Sequence, residues 1–158
     1  DSASSTELYC LLSALSEMSL KQNIAVTGSV DQFGNIQPIG GVNEKIEGFF
    51  RYCKARGLTG DQGVIIPRQN IINLMLNREV IQAVRDGNFH VWSVGTIDEG
   101  IELLTDLSAG TPDNEGNYPE NSIHGKVKAK LKEWVERSAK LAKELSVADG
   151  PIKTDTEN

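Results

Sequence analysis

Histidine, cysteine and tryptophan are scarce in this chain, with two of each among 158 residues. So few histidines leave little room for a histidine-dependent triad. His90 lies inside an apolar strand-like run and His124 opens a Lys-rich helical segment; a lone histidine in such a setting is ordinarily structural. Cys10 and Cys53 stand far apart in apolar helical patterns with no metal-type spacing near them. The expectation is two buried free thiols in a reducing, cytoplasmic compartment, a disulfide between them being the lesser alternative. The GxxxxGK(S/T) phosphate loop, the GxSxG elbow, HExxH and CxxC are all missing, so phosphate-loop nucleotide binding and the common zinc and hydrolase signatures drop out. No apolar run approaches the roughly 20 residues that cross a bilayer. Positive charge is in deficit, 16 Lys and Arg against 22 Asp and Glu for a net charge of −6. That balance argues against nucleic acid as a partner, because such binding neutralises phosphates with Lys and Arg.

What is present suits one soluble domain: 39% apolar and 24% charged residues, on a chain long enough for a single core. Leu8, Leu11, Leu12 and Leu15 recur at helical spacing after Ser4, and Ser4 with Glu7 matches a capping box. "NIAVTGSV", "DQFG" and "NIQPIGG" then read as strand, turn and strand, a hairpin. "VNEKIEGFFRYCKARG" predicts a helix with Ile46, Phe49, Phe50 and Cys53 on one face, stopped by Gly57. "GVIIP" is the short apolar strand that helices bury on both faces. "NREVIQAVRDGN" predicts a helix, "FHVWSV" a strand, and "TIDEGIELLTDL" a helix capped by Thr96. The alternation points to an α/β (α+β) domain with a mixed sheet and flanking helices.

A polar loop follows over 108–122, then a long helix over 123–146. Val127, Leu131, Trp134, Leu141 and Leu145 form a near-heptad seam on it, interrupted by Ser138. The remainder, 147–158, has the composition of a disordered tail.

With histidine and metal chemistry thinned out, serine with lysine remains. A neutral amine within hydrogen-bond reach can take the proton of a serine hydroxyl. Spacing alone does not say which pair. Two segments, however, resemble the proteolytic domain of the Lon proteases, of the archaeal (B-type) or bacterial Lon-related branch. "DSASS" is similar to the nucleophile motif of that branch. "VTGSVDQFGNIQPIGGVNEKIEGFF" resembles the family's strand–turn–strand–helix block, whose Gly-Gly-x-x-x-Lys ends on the catalytic base. "GVIIPRQN" and "VGTIDEGIELL" extend the resemblance over residues 1–107.

The resemblance implies that Ser2 is the nucleophile and Lys45 the general base, with Thr27 orienting the lysine. Asp1, Gly40 and Gly41 are the supporting members of the two motifs. It implies a serine peptidase acting on unfolded proteins or peptides, and a full-length protein that forms a hexameric ring. No cofactor is expected in this chain; ATP and Mg belong to an ATPase module that it lacks. The chain is expected to be a fragment, poorly active or inactive alone.

Without the resemblance, the residues read more plainly. Lys45 would be a solvated lysine on an amphipathic helix, and Thr27 an ordinary strand residue. Gly40 and Gly41 either end a strand or admit a close approach. Ser2 has no capping partner three residues on, since that position is Ser5. The rival function is a non-catalytic assembly or docking module of a larger ring complex, favoured by the helical seam.

Overall fold

The strand Gly63–Pro67, buried along its whole length, is the axis around which the rest is arranged. In the computed structural model, which describes residues 1–148, it pairs in parallel on both sides. Ile24–Val26 (β1) runs against its first half, and His90–Val94 (β5) matches it residue for residue from Gly63↔His90 to Pro67↔Val94. With Ser29–Val30 as β2, Ile36–Gln37 as β3 and Gly63–Pro67 as β4, the sheet order is β1-β4-β5, and β2 and β3 form a separate antiparallel pair. The architecture is therefore mixed α/β, with its parallel and antiparallel pairings in two sheets.

Strand periodicity divides the core. Ile65 faces one way, with Tyr9, Leu12, Ile36, Val94, Ile101 and Leu104 around it. Val64 and Ile66 face the other, with Ile46, Phe50, Cys53, Val80 and Phe89. The first layer is built by α1 (Ser4–Ser16), α4 (Ile97–Thr105) and the start of α5 (Ile123–Ala148); the second by α2 (Val42–Arg56) and α3 (Arg78–Arg85). Each fully buried Ile or Phe is worth about 1.5–3 kcal/mol over its exposed state, so a strand with side chains on both faces is a strong organiser. The helix stops are those expected: α2 ends at Gly57 and the Thr96 side chain accepts the Glu99 N–H at the start of α4.

Four expectations need correction. "NIAVTGSV" is not one strand: the parallel ladder of β1 ends at Val26, and the chain turns through Thr27 and Gly28 before β2. The capping box does not form. Ala3 is the N-cap, Glu7 N–H is held by Ala3 C=O, and the Ser4 hydroxyl donates to Asp1 C=O and accepts Val30 N–H, fastening the hairpin to the helix. The buried face of α1 is Ser5, Tyr9, Leu12 and Ser16, leaving Leu11 60% exposed. Cys10 is consequently exposed and only Cys53 is buried, both as free thiols.

The hairpin turn is locally determined. Asp31 Oδ1 accepts the N–H groups of Phe33 and Asn35, Asp31 N–H donates to Asn35 C=O, and Gly34 takes a φ of 82°. The same arrangement recurs in the loop before α5, from Asp113 to Asn117, with Gly116 at φ 79°. Both read Asp-x-x-Gly-Asn, a spacing that lets one carboxylate close its own turn.

Among the described residues, the ties that fix α5 to the rest of the fold gather near its beginning. Ile123 and His124 N–H groups donate to Ser108 and Ala109 C=O, Ile123 is buried, and His124 Nε2 lies 2.7 Å from Asp98. Farther on, Leu131, Trp134, Leu141 and Leu145 are all exposed. The tail expected over 147–158 lies, beyond Ala148, outside the described residues. Among the described residues no helix is long and apolar enough to cross a membrane.

Candidate active site

The turn that breaks the first expected strand is where the site forms. At the C-terminal end of β1, Thr27 N–H still donates to Ile65 C=O (3.0 Å), as if continuing the ladder. Gly28 N–H then donates to Ser2 C=O (2.9 Å), and Gly28 C=O accepts both the N–H and the hydroxyl of Ser5 (3.2 and 2.8 Å). A Cβ on Gly28 would sit 3.2 Å from Ile36 Cγ2 and from Ser5 Oγ, so a larger residue would push the helix start away. These bonds fix Ser2, half-buried, immediately ahead of α1.

Lys45 arrives from the other side, in the first turn of α2. Gly41 caps that helix with a φ of 67°, a left-handed backbone that glycine adopts without strain, and Lys45 N–H donates to Gly41 C=O (3.1 Å). The half-buried Lys45 side chain brings Nζ to 2.8 Å from Ser2 Oγ and 3.2 Å from Thr27 Oγ1. Thr27 is 7% exposed, and its hydroxyl also faces Ser2 C=O at 3.4 Å. The structure thus brings Ser2, Lys45 and Thr27 into one cluster. An open pocket of about 350 Å³ lies over it, lined by Asp1, Ser2, Ser29, Gln37, Pro38, Ile39, Gly40 and Lys45.

The supporting positions separate into different parts. The Asp1 carboxylate accepts the Ser29 hydroxyl (3.1 Å) on the pocket rim. Gly40 lines the pocket with open space where a Cβ would be, whereas Gly41 serves the backbone turn. Sequence reasoning missed Ser5 and Gly28, which lock the Ser2 segment to β1, because both act through backbone carbonyls. The only sequence hint is that Ser5 sits where a capping carboxylate for Ser2 would be needed. The histidines are elsewhere, His90 Nε2 on Gly60 C=O (2.8 Å) and His124 beside Asp98. Among the described residues no group of three or more His, Cys, Asp or Glu could hold a metal ion.

Chemically, the cluster offers a hydroxyl in hydrogen-bond contact with an amine and a second hydroxyl to orient that amine, beside an open pocket. That constellation suits nucleophilic attack on a carbonyl.

Several known proteins are similar to this chain. Over 107 residues the chain is 53% identical to a Lon protease homolog of Escherichia coli, covering 68% of this chain and 18% of that protein. A Lon protease homolog of Haemophilus influenzae is 52% identical over 104 residues, 66% of this chain and 17% of that protein. An archaeal Lon protease of Methanocaldococcus jannaschii is 40% identical over 116 residues, 73% of this chain and 15% of that protein. The chain therefore spans less than a fifth of the length of these relatives. Residues 1–106 match the family described as the Lon protease (S16) C-terminal proteolytic domain, and the chain belongs to that family.

Proposed function

We propose that this chain is the proteolytic part of an ATP-dependent serine protease in which Ser2 is the nucleophile and Lys45 the general base. The observation that carries the reading is the 2.8 Å separation of Lys45 Nζ and Ser2 Oγ, with Thr27 Oγ1 at 3.2 Å from the same nitrogen. Lys45 as the neutral amine takes the Ser2 proton while Oγ attacks the peptide carbonyl. The resulting ammonium gives that proton to the leaving amine, and an acyl-enzyme remains. Lys45 then takes a proton from water, which attacks the ester and frees Ser2. The N–H groups of Ser2 and Ala3, which have no hydrogen-bond acceptor among the described residues, are the donors for the oxyanion, aided by the positive end of α1.

In the whole protein the substrate is an unfolded polypeptide. ATP with Mg drives an ATPase module outside this chain, and the assembly is a hexameric ring in the cytoplasm. The domain division proposed is the proteolytic unit over 1–107 with α5 as an extension. The exposed seam of α5 favours a second reading, an assembly module. A serine-reactive probe separates them, since a pure assembly module has no activated hydroxyl to label.

The deciding experiment uses the full-length protein. Ser2→Ala and Lys45→Ala should each abolish degradation of an unfolded protein while ATP hydrolysis continues. Degradation at the wild-type rate by either variant overturns the assignment.

A further inference from the structure

The linker from β3 into α2, Pro38–Gly41, lines the pocket through Pro38, Ile39 and Gly40 and leads directly into the turn that carries Lys45. It is poorly equipped to hold a shape of its own. Pro38 has no N–H, Gly40 and Gly41 are conformationally free, and the one backbone hydrogen bond recorded for the linker is Gly41 C=O to Lys45 N–H, inside the helix entry.

Its anchor comes from a distant part of the chain. Asn70, on the 3₁₀ helix Arg68–Asn73 that follows β4, is 3% exposed. Its Oδ1 accepts Ile39 N–H and its Nδ2 donates to Ile39 C=O, both at 2.9 Å. One side-chain amide thereby satisfies both backbone groups of a single residue, as a neighbouring strand would. Only a group with a donor and an acceptor side by side can do this. Nδ2 also lies 3.3 Å from Asn73 Oδ1, which orients the amide. The helix side of the linker is tied to the same segment: Asn43 Nδ2 donates to Asn73 C=O (2.9 Å) and Asn43 Oδ1 accepts Met75 N–H (2.8 Å).

We infer that Asn70 is a positioning residue for the Ser2–Lys45 reaction: its amide fixes Ile39, and through the linker sets both the pocket wall and the reach of Lys45 to Ser2. The inference rests on the dyad reading above. Its chemistry gives it a distinctive signature. In Asn70→Asp the carboxylate still accepts Ile39 N–H but repels Ile39 C=O. Once protonated, the acid again offers one donor and one acceptor, restoring the clamp.

The test measures peptide hydrolysis by full-length Asn70→Asp across pH, as a ratio to wild type at each pH, with protection of the buried Cys53 thiol from a thiol reagent as the control for folding. Near neutral pH kcat should fall about 10- to 100-fold, the size of loss that misplacement by about 1 Å produces. The ratio should recover as the pH falls toward the carboxyl range near about 4. If Cys53 labelling shows that this variant does not fold at neutral pH, Asn70→Ser carries the test. Its uncharged hydroxyl makes one of the two bonds, so kcat should drop less while Cys53 stays protected. Wild-type kcat and KM in Asn70→Asp, a ratio flat with pH, or wild-type kcat in the Ser variant overturns the inference. Lys45→Ala, run alongside, separates the two claims. If it is inactive while Asn70→Asp is fully active, only the role of Asn70 fails. If it is fully active, the dyad reading fails and a positioning role toward Lys45 fails with it.

Discussion

Tyr9 on α1 occupies the space that Gly100 on α4 leaves empty: a Cβ at Gly100 would overlap the Tyr9 hydroxyl and ring. The two helices meet through this fit, in the layer that also supports the Ser2 segment. Gly100→Ala should therefore cost about 1–3 kcal/mol through overpacking, read as a lower denaturation midpoint at unchanged slope. Adding Tyr9→Phe should recover part of that loss, because the hydroxyl is the atom most in conflict. Strict additivity of the two changes would show that they are not coupled.

Tyr9 carries a second consequence. Its hydroxyl is buried without a hydrogen-bond partner among the described residues. Burial, reinforced by the charges of Asp98 and Glu99, pushes its pKa well above the ordinary tyrosine value. The folded state thus holds the phenol neutral where the unfolded chain would ionise it. The stability this provides is complete below about pH 10, the unfolded value, and is lost as the pH rises beyond it. Alkaline unfolding curves should show Tyr9→Phe holding its stability to higher pH than wild type. Superimposable curves would contradict this account.

Thr27 should matter through its hydroxyl rather than its bulk. Thr27→Val keeps the shape but removes the oxygen 3.2 Å from Lys45 Nζ. On the proposed mechanism kcat for peptide hydrolysis falls about 10- to 100-fold, the worth of a hydrogen bond to the ammonium that Lys45 becomes as it takes the Ser2 proton, with KM little changed. Thr27→Ser should retain most activity. A loss in the Ser variant equal to that in Val would point to packing instead.

The thiols provide a simple check of the fold. Cys10 is exposed and Cys53 is 3% exposed, and burial raises the Cys53 pKa. A thiol reagent should label Cys10 in the native protein and Cys53 only after denaturation. Rapid labelling of both in the native state would mean that α2 does not pack as described.

Much of the fold is legible in the sequence wherever the cause is local. The all-apolar run of β4, the Gly57 stop, the Thr96 cap and the Asp31 turn depend on residues within a few positions of one another. The split of the first strand does not, because Val26 ends its ladder on Ile65, far along the chain. The burial of Tyr9 depends on Gly100, which no helical period around Tyr9 reveals, and the shift of the α1 face to Tyr9 is what leaves Cys10 outside. At the site, Ser2, Lys45 and Thr27 were found through the resemblance; the spacing alone singled out none of them. Ser5, Gly28 and Asn70 stayed hidden because their partners are backbone groups, and any residue has those.

The gathering of the described ties of α5 near its start gives it the shape of a lever arm. From Lys130, which pairs with Glu17 just beyond α1, to Leu145 the helix rises roughly 22 Å at 1.5 Å per residue. A tilt of about 10° at the fulcrum would sweep its far end through about 4 Å over that length. Small rearrangements of α1, the helix that begins just after Ser2, are thus magnified at Leu145, where a spectroscopic label would read them most sensitively.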